Sequence, residues 1–174
     1  MEHRPRLYLL IGLATGFIAL AASARVFMTQ QQALASALPG AKLTRQTFFL
    51  TPQQLAAAKK DSGVDFSDQL IVRYAAPNGY AYFDTHRVRT LAETVMILVT
   101  PDGKIDRIDI LSFDEPPDYQ PKRRWFDQFR GRKLDGELSL NRAIRPISGA
   151  SLSGRAIVNA SRKILAIHHV IEQK

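Results

Sequence analysis

The sequence predicts an α+β fold, an antiparallel sheet with flanking helices, preceded by one N-terminal transmembrane helix. Three observations lead there. Pro77-Asn78-Gly79 and Pro101-Asp102-Gly103 each divide a pair of strand-like runs, the signature of a β-hairpin. Near the C-terminus, Ala156, Ile157, Ala160, Ile164 and Leu165 recur at helical spacing. Strands followed by helices, rather than alternating with them, give an α+β class. The third observation is Leu7 to Ala24, an uncharged and mostly apolar run of 18 residues.

As a helix that run is about 27 Å long, close to the ~30 Å hydrocarbon core of a bilayer. Arg4 and Arg6 precede it and Arg25 follows. A cleaved signal peptide would use Ala22-Ser23-Ala24 as its small-residue site, and an uncleaved anchor would keep the helix. The run is long for a signal core, so residues 1–28 are read as a signal anchor. The arginines place its N-terminus on the cytoplasmic side. The expected location is therefore the inner (cytoplasmic) membrane, single-pass, with residues 29–174 as one extracytoplasmic domain.

Gln30 to Leu38 reads as a short helix stopped by Pro39-Gly40, and Leu43 to Leu50 as a strand. Thr51-Pro52 opens a second helix, Thr as cap and Pro in the first turn, which Gly63 ends. Leu70 to Ala75, Tyr80 to Thr85, Glu93 to Thr100 and Lys104 to Leu111 follow as four strands. The third is apolar on both faces and so central, while Ile105, Ile108 and Ile110 of the fourth are expected to be half-buried at best. His86, alone at a strand end, reads as structural or exposed rather than as a metal ligand. Pro121 to Arg130 looks helical, its aromatics Trp125, Phe126 and Phe129 facing the core. Ile144 begins a short strand, and the last helix runs from Ser151 to about Glu172. Its adjacent His168 and His169 point about 100° apart, one inward and one outward.

Composition excludes several functions. The net charge is +8, yet the basic residues are scattered and no nucleic-acid motif accompanies them. A solvated basic face, or attraction to acidic partners and anionic lipid, is the better meaning. With no cysteine, the chain itself holds no disulfide, cysteine-ligated iron–sulfur cluster or attached c-type haem.

Two stretches carry chemistry. In Arg145-Pro146-Ile147-Ser148-Gly149-Ala150-Ser151-Leu152-Ser153-Gly154-Arg155, a tight loop hands over to a helix. Backbone N–H groups at such a junction are unpaired and the helix dipole is positive, so an anion is favoured there. Taken alone, the same residues also make an ordinary serine N-cap. The second stretch is Ser112 to Pro121, whose three prolines make either a stiff wall for a planar ligand or a plain Pro-rich connector, with Tyr119 able to stack on a ring or hydrogen-bond to it.

Ile147-Ser148-Gly149-Ala150-Ser151-Leu152-Ser153 resembles the Ser-Gly-Ala-Thr-Leu-Thr/Ser signature of the FMN-binding domain family. That family includes flavin subunits of ion-translocating NADH:quinone oxidoreductases and the nitrous-oxide respiration regulator. The resemblance spans roughly residues 90–170, and Glu115-Pro116 falls where the family has Glu-Thr-Pro-Gly. In many members a flavin transferase joins FMN through its phosphate to the hydroxyl of the Thr ending Ser-Gly-Ala-Thr, a position held here by Ser151. The family's usual Asp six residues earlier is Arg145 here, a departure that bears on recognition by the transferase. The resemblance implies FMN bound by Ser148, Gly149, Ala150, Ser151, Leu152 and Ser153, with Arg155 neutralising the phosphate from one turn on and Tyr119 beside the ring. It also implies an electron-transfer flavoprotein rather than a stand-alone catalyst, working with membrane redox proteins that carry haem or iron–sulfur centres. An exported binding or assembly module with the same fold and no flavin is the alternative.

Overall fold

The computed structural model describes residues 25–173. The expected transmembrane helix, Leu7 to Ala24, lies outside them, and among the described residues no helix is long and apolar enough to cross a membrane. Six strands form one antiparallel sheet: β1 (Arg25–Val26), β2 (Thr44–Phe49), β3 (Leu70–Ala76), β4 (Gly79–Arg87), β5 (Ala92–Val99) and β6 (Ile105–Phe113). Their order is β1-β6-β5-β4-β3-β2. Three helices accompany them, α1 (Gln30–Ala37), α2 (Pro52–Ser62) and α3 (Ser151–Glu172). The α+β class with an antiparallel sheet and helices is as the sequence predicts.

Local chemistry sets the helix ends. Thr51 accepts a hydrogen bond from the Gln54 N–H while the Gln54 side chain accepts one from the Thr51 N–H, a reciprocal cap that starts α2. Thr29 and Gln32 do the same for α1. In the first hairpin Gly79 must be glycine, because a Cβ there would lie 2.7 Å from the carbonyl oxygen of Val99.

Strand β5 is buried on both faces, as expected for a central strand. Val95, Ile97 and Val99 join the core under α2 and α3, whereas Met96 and Leu98 join a smaller core under α1. Two expectations are corrected. Ile105, Ile108 and Ile110 are buried, not half-buried, because they join the core cluster with α3 and Phe129, and the segment after β6 folds back over the strand. That segment, Arg123–Phe129, is a 3-10 helix, preceded by a 3-10 turn at Pro117–Tyr119. Three residues per turn stack Phe126 over Phe129, and Trp125 meets both rings edge-on, which is the aromatic wedge that covers β6. The short strand expected at Ile144 is reduced to a single bridge with Leu140.

Candidate functional site

Helix α3 starts at Ser151 and ends at Glu172, about 33 Å long at 1.5 Å per residue. Its apolar stripe lies on the sheet, His168 is buried and His169 exposed. What matters chemically is its first turn. The residue before it, Ala150, gives no side-chain cap. Among the described residues no carbonyl or side chain accepts from the N–H groups of Ser151, Leu152 and Ser153. Gly149, with φ at 77°, turns the chain into this start, a conformation that favours glycine over residues with a Cβ.

The loop before α3 is stapled from outside the signature. Trp125 donates its indole N–H to the Arg145 carbonyl at 2.8 Å, and the Gln128 side-chain oxygen accepts the Arg145 N–H at 2.9 Å. Trp125 also packs on Gly154, where a Cβ would sit 3.6 Å from its ring. On the other side the half-buried Arg162 guanidinium donates to the carbonyls of Ser62 (2.6 Å), Asp135 (2.7 Å) and Leu138 (3.3 Å), tying the connection 134–144 to α2 and α3. Sequence reasoning placed Trp125 in the core and gave Gln128 no part. No spacing signals these bonds.

Two grooves flank the loop, and Pro146 lines both. One, about 770 Å³, contains Ser151, Arg155 and Asn159 with Arg142 and Arg162. The other, also about 770 Å³, contains Ser148 with Trp125, Lys122, Arg124, Arg132 and Arg145. Both lie within the size range of small-molecule sites. The signature residues are therefore not all together. Ser151 and Arg155 share one groove, and Ser148 faces the other. Gly149 and Leu152 are exposed between them, while Ala150 and Ser153 are buried, the Ser153 hydroxyl without a partner among the described residues. Tyr119 lines neither groove. It packs against the core with the Arg89 guanidinium 5.4 Å from its ring centre, although its neighbours Asp118 and Gln120 do line the groove of Ser148.

Glu115 has a different task. Its buried carboxylate accepts the N–H groups of Arg89 (3.0 Å), Thr90 (2.7 Å) and Leu91 (2.9 Å), and so holds the β4–β5 turn. The same end of the sheet contains a buried charge cluster. His86 bonds Asp84 at 2.9 Å through Nδ1 and Glu93 at 3.1 Å through Nε2, and Lys163 from α3 reaches Asp84 at 2.7 Å and Asp68 at 2.9 Å. Burial opposes a charge on His86, but Asp84 and Glu93 outweigh it and raise its pKa to about 9. With both ring nitrogens engaged, His86 is a structural cation. Burial raises the pKa of Glu93, whose Oε1 has no partner among the described residues.

The residues at the start of α3 fit a phosphomonoester. The exposed Ser151 and Arg155 share one groove, at a helix start whose first N–H groups are unpaired among the described residues. No curated protein and no solved structure matches the chain. A family model does match, that of the FMN-binding domain, over residues 92–166. The match runs from the start of β5 into α3 and takes in Glu115, the aromatic wedge and the whole signature. Residues 92–166 thus match the FMN-binding domain family, and this match supports FMN as the cofactor.

Proposed function

We propose that the protein is a membrane-anchored extracytoplasmic flavoprotein that carries FMN on Ser151 and relays electrons between membrane redox proteins bearing haem or iron–sulfur centres. The observation that supports this reading best is the shared groove of Ser151 and Arg155 at the uncapped start of α3, inside the family-matched segment. The unpaired N–H groups and Arg155 hold the phosphate, and the stapling of Arg145 by Trp125 and Gln128 keeps the loop in place. When bound, FMN supplies one- and two-electron redox chemistry, and the chain supplies position and electrostatics.

Covalent attachment needs an activated donor. A transferase using a flavin dinucleotide meets this: the Ser151 Oγ–P bond forms, the donor's phosphoanhydride bond breaks, the nucleoside monophosphate leaves and the Oγ proton passes to solvent. Protein made in an exporting, flavin-replete host with the transferase is expected to show flavin absorption bands and, after denaturation, one added FMN moiety by intact mass. Ser151→Ala is expected to lose the added mass. Flavin released by acid from the wild type removes the covalent part, and a colourless wild-type protein removes the flavoprotein reading altogether.

A further inference from the structure

The groove on the Ser148 side is larger in charge than a flavin phosphate requires. It is lined by Lys122, Arg124, Arg132 and Arg145 against the single carboxylate of Asp118. Among the described residues none of these four cations makes an ion pair. The adjacent cleft differs, because there Arg130 pairs with Asp106 and Arg107 with Asp109. Four unpaired cations are thus gathered on the face that borders the signature loop. The dipole of α3 adds to it, since the same loop leads into that helix's N-terminus.

We infer that this basic groove is the docking surface for an acidic protein that exchanges electrons with the flavin, an inference that rests on the flavoprotein reading above. Charge complementarity decides the class of partner. A binding face of one sign steers an oppositely charged protein into encounter and sets its orientation. Ser148 and Pro146 belong to the groove wall, and Pro146 also lines the groove of Ser151, so a protein seated here lies against the loop that carries the flavin. A lipid surface fits less well. Stable peripheral membrane binding gains from apolar side chains inserted beside the charges. The exposed large apolar residues, Val26, Phe27, Phe49, Leu70 and Leu152, all lie outside the groove.

The test uses the full chain in detergent, with and without its flavin, and the double variant Lys122→Glu/Arg124→Glu. Both side chains are exposed, and neither makes a side-chain hydrogen bond among the described residues. Fluorescent poly-glutamate, as a flavin-independent probe, is expected to bind the wild type in a salt-dependent manner and to bind the variant about tenfold or more weakly. In stopped-flow, reduced FMN-loaded protein is expected to reduce an acidic cytochrome b faster than a basic cytochrome c of similar size, and the variant to reverse that order. Equal poly-glutamate binding by wild type and variant overturns the inference. So does binding to phosphatidylglycerol vesicles without binding to poly-glutamate, and so does an unchanged order of the two cytochromes. A wild type that binds poly-glutamate but takes no flavin leaves the basic docking face in place and removes only its redox role.

Discussion

Two clusters of charge border α3, and the chain treats them in opposite ways. Around His86 every charge is answered: Asp84 faces both His86 and Lys163, Glu93 holds the other side of His86, and Asp68 holds Lys163. Around the signature loop Lys122, Arg124, Arg132, Arg145 and Arg155 have no carboxylate partner among the described residues. The first cluster is buried, with Asp84 5 % and Glu93 0 % exposed, and charges at that depth must be neutralised from within. The second is exposed, where water tolerates lone charges and an outside anion can displace it. The difference separates scaffold from site better than residue type does, since each cluster contains a lysine, Lys163 in the one and Lys122 in the other.

The largest expected effect breaks the buried cluster. Asp84→Asn removes the shared carboxylate and leaves the His86 and Lys163 cations facing each other in a buried region. Losing one partner of a buried ionic network costs on the order of 3–5 kcal/mol. Urea unfolding of variant and wild type measures it, and a loss below about 1 kcal/mol would mean that the cluster is effectively solvated.

Proton linkage gives the next effect. The folded-state pKa of His86 lies near 9, above its ordinary 6.5. The stability it confers is fully present below about pH 6.5 and is lost as pH rises through about 9, for a total of up to about 3 kcal/mol. Glu93, raised by burial, works in the same direction from lower pH, whereas Asp84, held low against its burial by His86 and Lys163, confers stability that is lost only in acid. Chemical denaturation between about pH 7 and 9.5 is expected to show falling stability in the wild type and a flatter profile in His86→Gln. Parallel slopes for the two proteins would assign the alkaline loss elsewhere.

How much of this was legible in the sequence follows the range of the interactions. Helix α3 lies where its apolar period and Ser151 put it, α2 starts at the cap read in Thr51, and the paired histidines split inward and outward, because all three depend on neighbours within a few residues. The FMN-binding family was legible through one contiguous motif. The burial of Ile105, Ile108 and Ile110 was not, since it depends on packing with the distant α3 and on a 3-10 wedge whose fold back over β6 no periodicity signals. Nor was the division of the signature between two grooves and the core. It follows from bonds such as Trp125 to Arg145 and Gln128 to Arg145, which span 20 and 17 residues and leave no periodic trace.

In the exposed cluster, Arg155 sharpens the comparison through binding rather than stability. It is one helical turn from Ser151, lines the same groove and has no carboxylate partner, so its charge is available to a phosphate. A charge-assisted contact of this kind contributes on the order of 1.5–3 kcal/mol. Arg155→Ala is expected to weaken noncovalent FMN binding about ten- to a hundredfold, each tenfold being about 1.4 kcal/mol, when Ser151→Ala protein is titrated to exclude covalent flavin. Riboflavin lacks the phosphate and is expected to bind both proteins alike. Equal losses for the two ligands would point to a damaged fold and remove the phosphate role.

The smallest effect tests the other half of the contrast. If Lys122 and Arg124 are held for an outside partner, they contribute nothing to folding, and Lys122→Ala/Arg124→Ala is expected to change stability by no more than about 0.5 kcal/mol. The sign is expected to be slightly positive at low salt, because the variant relieves repulsion with Arg132 and Arg145 across the same groove. Added salt screens that repulsion, so the small gain is expected to vanish as the Debye length falls from about 30 Å to about 8 Å. Thermal melts of the two proteins across that range of ionic strength read both features together. A salt-independent loss of more than about 1 kcal/mol would show the groove cations to be part of the scaffold after all, and the distinction between answered and unanswered charge would fail on this face of the molecule.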